Sequence, residues 1–115
     1  MLTLMLTTTG RRTGQPREVE LYAFPDGERL VIVGSRGGSP IDPRWAENLR
    51  SEQSASIQRG RVQTAVRARE VEAGEERDRL WRLVCGAFPM YASYQRKTQR
   101  TIPIFVLDTV HEPGA

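Results

Sequence analysis

Tyr91 and Tyr94, three residues apart, are the side chains in this sequence best suited to proton chemistry on a flat organic molecule. At helical spacing they share a face, and each phenol joins an apolar ring to a hydroxyl donor. A second set is Ser35-Arg36-Gly37-Gly38. Its two glycines admit a ligand close to the backbone, Ser35 brings a hydroxyl and Arg36 a cation. A third set is Gly10-Arg11-Arg12-Thr13-Gly14-Gln15-Pro16-Arg17. Glycines at both ends permit positive φ, so backbone N–H groups could approach an anion. Arg11, Arg12 and Arg17 add forked donors that match phosphate or carboxylate oxygens. A fourth set lies in Pro43 to Leu49, where Trp45 could stack on a ring and Asn48, three residues on, could donate its amide. Each set also has a plainer reading: a solvated basic hairpin turn, an ordinary strand-to-helix loop, a core tryptophan, and tyrosines packed on the fold.

The rest of the composition narrows the chemistry. There is one cysteine, Cys85, and one histidine, His111, near a tail containing proline and glycine where solvation is expected. Ser–His and Cys–His catalysis therefore lack partners, and cysteine-based metal sites and internal disulfides are excluded. No paired carboxylates or metal-ligand spacing stand out. Redox or transfer chemistry here must come from a bound organic cofactor. The net charge of +3 over 115 residues is modest for a nucleic-acid binder, and the basic residues are clustered as a site for one acidic small molecule requires. No apolar run is long enough to span a bilayer, and Leu2 to Leu6 lacks the flanks of a signal peptide. A cytoplasmic setting is the expectation, with peripheral membrane contact left open.

These residues need elements to hold them. Leu2, Leu4 and Leu6 alternate with Thr3, Met5 and Thr7, as do Val19, Leu21 and Ala23 with Glu18, Glu20 and Tyr22, which predicts two half-buried strands flanking the arginine turn. Pro25-Asp26-Gly27 closes a hairpin onto Leu30-Val31-Ile32-Val33, a strand covered on both faces. Asp42 is expected to cap a short helix with Pro43 at its first position. Ser54 to Ile57 and Val62 to Val71 read as strands, with a bulge near Arg69 because Val71 falls out of phase with Val62, Val66 and Ala68. Glu75 to Phe88 is an amphipathic helix, and Met90 to Gln99 a second one after Pro89. Ile102 to Leu107 is a last buried strand, with Pro103 at an edge or a strand start. Six strands with short helices inserted late predict a small, mainly antiparallel β-barrel over residues 1–108, followed by a flexible tail at 109–115.

As a set, these motifs resemble the deazaflavin-dependent nitroreductase family, which uses coenzyme F420. The resemblance runs through Leu6 to Arg17, Arg29 to Val33, Ser35 to Gly38, Pro43, Trp45, Asn48, Leu49, Tyr91, Tyr94-Gln95 and Thr101-Ile102-Pro103-Ile104. It implies a six-stranded split barrel of the flavin-reductase and pyridoxamine-phosphate-oxidase type, and hydride transfer to a planar electron-poor acceptor such as a quinone or nitroaromatic. It further implies that Arg11, Arg12, Thr13 and Arg17 hold the phosphate and acidic tail. Ser35, Arg36, Gly37 and Gly38 would line the cofactor, Trp45 and Asn48 would wall the pocket, and Ser35, Tyr91 and Tyr94 would be the catalytic residues. Two departures stand out: Phe88 where relatives often carry tyrosine, and Arg36 where they carry lysine. The first strand also starts almost at once, which implies a more open pocket or closure by a second subunit, so a homodimer is an expectation. An enzyme using the flavin mononucleotide and a non-catalytic carrier of the deazaflavin are the alternatives.

Overall fold

The computed structural model describes residues 1–110. Its six strands are β1 (Leu2–Thr9), β2 (Pro16–Asp26), β3 (Arg29–Val33), β4 (Ser54–Arg59), β5 (Val62–Glu70) and β6 (Ile104–Thr109). They close into an antiparallel barrel in the order β1-β2-β3-β6-β5-β4. Three helices accompany it: α1 (Arg44–Ser51), α2 (Glu75–Ala87) and α3 (Met90–Arg96). The expected barrel is therefore present, with every alternating run placed as a strand.

Strand alternation divides the apolar residues between two cores. Leu4, Leu6, Ala23, Ile32, Ile57, Val66, Ala68, Phe105 and Leu107 point into the barrel, where Trp45, Ala46 and Leu49 of α1 plug one end. Phe24, Val31, Val33, Ile104 and Val106 point outward and are covered by Leu80 and Val84 of α2 and Tyr91 of α3. β3 and β6 thus bury both faces, which explains their unbroken apolar runs.

Three local expectations are corrected. Val71 needs no bulge: the β5–β6 register is continuous from Val66–Thr109 to Glu70–Phe105. The chain simply leaves the strand there, and Val71 joins the outer core while its N–H donates to the Ile104 carbonyl at 2.9 Å. Asp42 does not cap α1. Pro43 occupies the N-cap position, and the Asp42 carboxylate is taken by Arg50 and Arg100, each at 2.7 Å. Pro103 stands at a strand start, one of the two places expected for it, directly before Ile104 of β6, and its carbonyl accepts the Gly34 N–H at 2.9 Å. Finally, β6 spans Ile104–Thr109, and the Val110 N–H donates to the Ala65 carbonyl, so the strand extends past the end expected at Leu107. His111 and the remainder of the expected tail lie outside the described residues.

Candidate active site

One groove of about 1230 Å³ gathers every residue to which the resemblance gives a site role except Gly38. It runs from the β1–β2 turn, past Trp45 and Asn48 of α1 and the Ser35–Gly37 loop, to Phe88, Tyr91 and Tyr94. Residues separated by more than eighty positions are thus brought to one surface by barrel closure.

At the basic end the turn is held by its own backbone. Gly10 N–H donates to Gln15 O (2.8 Å), Gly14 N–H to Gly10 O (2.7 Å) and Gln15 N–H to Thr13 Oγ1 (3.2 Å). Arg11 N–H donates to Asn48 Oδ1 at 3.1 Å. These four amides are committed, whereas the Arg12 and Thr13 N–H groups have no acceptor among the described residues, so the backbone donors the turn could offer an anion narrow to those two, beside the arginine side chains. The two glycines also act differently: Gly14 adopts φ +71°, whereas a Cβ on Gly10 would lie 2.9 Å from Thr13 Oγ1 and 3.2 Å from Gln15 O. Gly10 is required by crowding, Gly14 by conformation.

Asn48 is 7% exposed and donates through Nδ2 to Thr8 Oγ1 at 3.1 Å. Its amide is therefore a strut between α1, β1 and the turn, which leaves one Nδ2 hydrogen for the ligand donation expected from its position. Trp45 is likewise a core residue, packed edge-on against Phe105 at 5.7 Å and presenting only its margin to the groove. Arg11 pairs with Glu47 at 3.2 Å. Among the described residues, Arg12, Arg17, Arg36 and Arg44 line the same groove without a salt bridge, and Arg17 reaches only Thr13 Oγ1, at 3.4 Å. Of these, Arg12 and Arg17 stand together at the turn, and cations with no carboxylate partner at one end of a groove suit an anionic ligand.

The middle of the groove is a left-handed turn. Arg36, Gly37 and Gly38 have φ of +45°, +63° and +86°. For Arg36 that conformation costs about 1–2 kcal/mol, so the loop must be fixed by its surroundings. Gly37 has open space where a Cβ would stand, consistent with close ligand approach. Gly38 does not line the groove. It is buried, and a Cβ there would fall 2.8 Å from the Tyr94 carbonyl, so its glycine serves the docking of the loop onto α3.

The far end is aromatic. Phe88 contacts Tyr91 at 4.8 Å, Tyr22 at 5.8 Å and Tyr94 at 6.4 Å between ring centroids, and Tyr91 stands edge-on to Phe24 at 5.7 Å. Tyr91 is 5% exposed, and burial pushes its phenol up to about 12, with further small contributions from Tyr22 and Tyr94. It therefore stays protonated at neutral pH. Tyr94 is half-buried, with Lys97 Nζ 5.6 Å from its ring centroid. The expected pairing of the two phenols on one helix face is present, their rings 6.4 Å apart.

Sequence reasoning missed Thr8, Tyr22, Arg44, Glu47 and Arg100. Thr8 interrupts the apolar alternation of β1 with a buried hydroxyl, a signal that could have found it. Arg100 donates to the carbonyls of Gly34, Ser35 and Ser39 from more than sixty residues away, and no local pattern marks it.

Comparison with known proteins agrees with this geometry. Residues 1–109 match the model of the F420H(2)-dependent quinone reductase family. An F420H(2)-dependent quinone reductase of Mycobacterium tuberculosis is 38% identical over 106 residues, covering 90% of this chain and 71% of the relative. The solved structure of an F420-H2 dependent reductase, FDR-A, matches with a TM-score of 0.82 at 38% identity, covering 92% and 93% of the two chains. Another, described as a domain-swapped dimer, matches at 0.83 and 38%, covering 92% and 79%. A heme storage protein of Vibrio cholerae, HutZ, shares the fold alone, at 0.72 and 16% identity, covering 96% and 82%. The committed turn, the strained glycine loop and the paired tyrosines sit in a chain that belongs to the F420H(2)-dependent quinone reductase family.

Proposed function

We propose that this protein is an oxidoreductase that uses reduced coenzyme F420 to reduce a quinone. The observation that carries the reading is one groove with unpaired arginines at one end and a tyrosine–phenylalanine wall at the other. The residues fit the cofactor's parts. Arg12 and Arg17 suit its phosphate and carboxylate tail, with Arg11 oriented by Glu47 at the rim. Ser35, Arg36 and Gly37 form the wall against which a flat ring would lie, and the absence of a Gly37 side chain permits that approach. When bound in its reduced form, the deazaflavin supplies a hydride.

The chain's own residues then have three tasks. The aromatic wall of Tyr22, Phe88 and Tyr91 offers an apolar face to a planar acceptor and keeps water from part of it. Reducing a quinone to a quinol needs one hydride and one proton at the carbonyl oxygens. Tyr94, half-buried and open to the groove, is the donor best able to exchange its proton with solvent. Tyr91, held protonated by burial, serves as donor and never as base near neutral pH. Phe88 contributes ring surface without a hydroxyl, so the phenols at this end are those of Tyr22, Tyr91 and Tyr94, of which Tyr91 and Tyr94 share the helix face toward the groove. No helix of the described residues is long and apolar enough to cross a membrane, and a water-soluble short-chain quinone is a suitable test acceptor. The structure of one relative is described as a domain-swapped dimer, and two-copy assembly of this chain is part of the same reading.

The test is anaerobic mixing of protein, reduced F420 and a short-chain naphthoquinone. Catalysed oxidation of the cofactor with stoichiometric quinol is the expected result. Binding without turnover across quinones and nitroaromatics would instead make the protein a carrier. A yellow purified protein with a flavin spectrum would replace the deazaflavin by the flavin mononucleotide.

A further inference from the structure

We infer that Arg100 is a positioning residue that fixes the cofactor loop against the tyrosine helix. The inference rests on the reading of the groove given above and adds a residue outside its lining. Arg100 lies in the segment between α3 and β6, and its side chain is 14% exposed. Four donations leave its guanidinium. Nε reaches the Ser39 carbonyl at 2.7 Å, Nη2 the Ser35 carbonyl at 2.8 Å, and Nη1 both the Gly34 carbonyl at 3.2 Å and Asp42 Oδ1 at 2.7 Å. Three of these acceptors bracket the left-handed Arg36–Gly38 turn on both sides.

The backbone around Arg100 is itself clamped by α3. Gln95 Nε2 donates to the Arg100 carbonyl at 2.7 Å, and Gln95 Oε1 accepts the Ile102 N–H at 2.9 Å. Gln95 follows Tyr94 directly, so the same short helix carries the phenols and holds the arginine. Asp42, the counter-charge, is held from its other oxygen by Arg50, which in turn grips Glu70 of β5 through two bonds of 2.7 and 2.8 Å. The guanidinium therefore joins a turn with three consecutive positive φ values to the barrel wall and to the tyrosine helix. A planar fork with five N–H groups can serve several carbonyls and a carboxylate together; an ammonium on a single point cannot hold that geometry. A loop held in an unfavourable conformation stays there only while such contacts outweigh the alternatives.

Arg100→Lys keeps the charge opposite Asp42 and removes the fork. Two readouts apply. Hydrogen exchange on the cofactor-free protein follows the Gly38 and Ser39 amides, which donate to the Ser35 and Arg36 carbonyls. Exchange at both should speed up by about tenfold or more in Arg100→Lys, in keeping with the loss of charge-assisted bonds, and stay unchanged in Arg79→Gln. Titration and steady-state kinetics with F420 should show about tenfold weaker cofactor binding, with a smaller change in kcat at saturation. A merely structural defect would lower kcat through lost folded protein and leave cofactor affinity intact. Unchanged Gly38 and Ser39 exchange overturns the inference whatever the cofactor does. Faster exchange with unaltered F420 affinity overturns its link to the cofactor. Failure of the wild-type protein to bind F420 overturns the functional reading and that link with it, while the exchange data still decide whether Arg100 holds the loop.

Discussion

The two ends of the groove are built on opposite principles. At the turn, exposed arginines project from a backbone held by the bonded amides of Gly10, Arg11, Gly14 and Gln15, and Arg12 and Arg17 take no part in a salt bridge among the described residues. At the aromatic end, Tyr91 is both a groove wall and part of the outer core. Charge can therefore be changed at one end without touching the fold, whereas shape cannot be changed at the other without touching it. On the proposed function, binding strength would be concentrated in replaceable surface groups, and the geometry of the reacting region in residues the barrel itself depends on.

The sharpest way to break this contrast is Tyr91→Ala. It empties a buried ring site bordered by Phe24, Phe88 and Tyr94, and should cost about 3–5 kcal/mol in chemical denaturation. Tyr91→Phe keeps the ring and should cost less than about 1.5 kcal/mol, while slowing any turnover that uses the phenol. A Tyr91→Ala protein of wild-type stability would remove the distinction between the two ends.

At the other end, Arg12→Ala with Arg17→Ala should weaken F420 binding by about 2–3 kcal/mol, as expected for charge-assisted hydrogen bonds. Titration would show this, and its size should fall as salt rises. Stability should stay within about 0.5 kcal/mol of wild type. An equal loss of stability would show that the turn is structural after all.

Asn48→Ala probes the join between these regimes. It strands the Thr8 hydroxyl and the Arg11 N–H, and should cost about 1–3 kcal/mol of stability as well as some cofactor affinity. Loss of one without the other would separate strut from site.

The smallest effect concerns the ionic link between the β2–β3 hairpin and α2. Arg79, and then Arg29, hold the Asp26 carboxyl down to about 2. A lowered folded value means the contribution is present above the ordinary 3.8 and fades as pH falls toward 2. Acid denaturation of Asp26→Asn should lack that component of the pH slope. The cofactor groove lies elsewhere, so F420 affinity at neutral pH should not change.

How much of this was legible in the sequence follows the same division. Period-two alternation in β1 and β2 and the double-sided apolar runs of β3 and β6 depend on local pattern, and all stand as strands. Candidate site residues can be named from the sequence because tyrosine pairs, glycine pairs and arginine clusters are visible by type. Their partners were not. Asn48 reads as a free amide until Thr8 is placed beside it, and Asp42 reads as a helix cap until Arg50 and Arg100 claim it. Val71 suggests a bulge only if every apolar residue of β5 faces one core, whereas the helices create a second. Local chemistry is written along the chain; the pairing of buried polar groups is settled by closure of the barrel.

The most direct test compares two ligands on one protein: intact F420, and the same deazaflavin lacking its phosphate and glutamate tail. The wild-type protein should bind the intact coenzyme far more tightly, and Arg12→Ala with Arg17→Ala should bring the two affinities together. Equal affinity of the wild-type protein for both would contradict the assignment of the arginine end to an anionic tail.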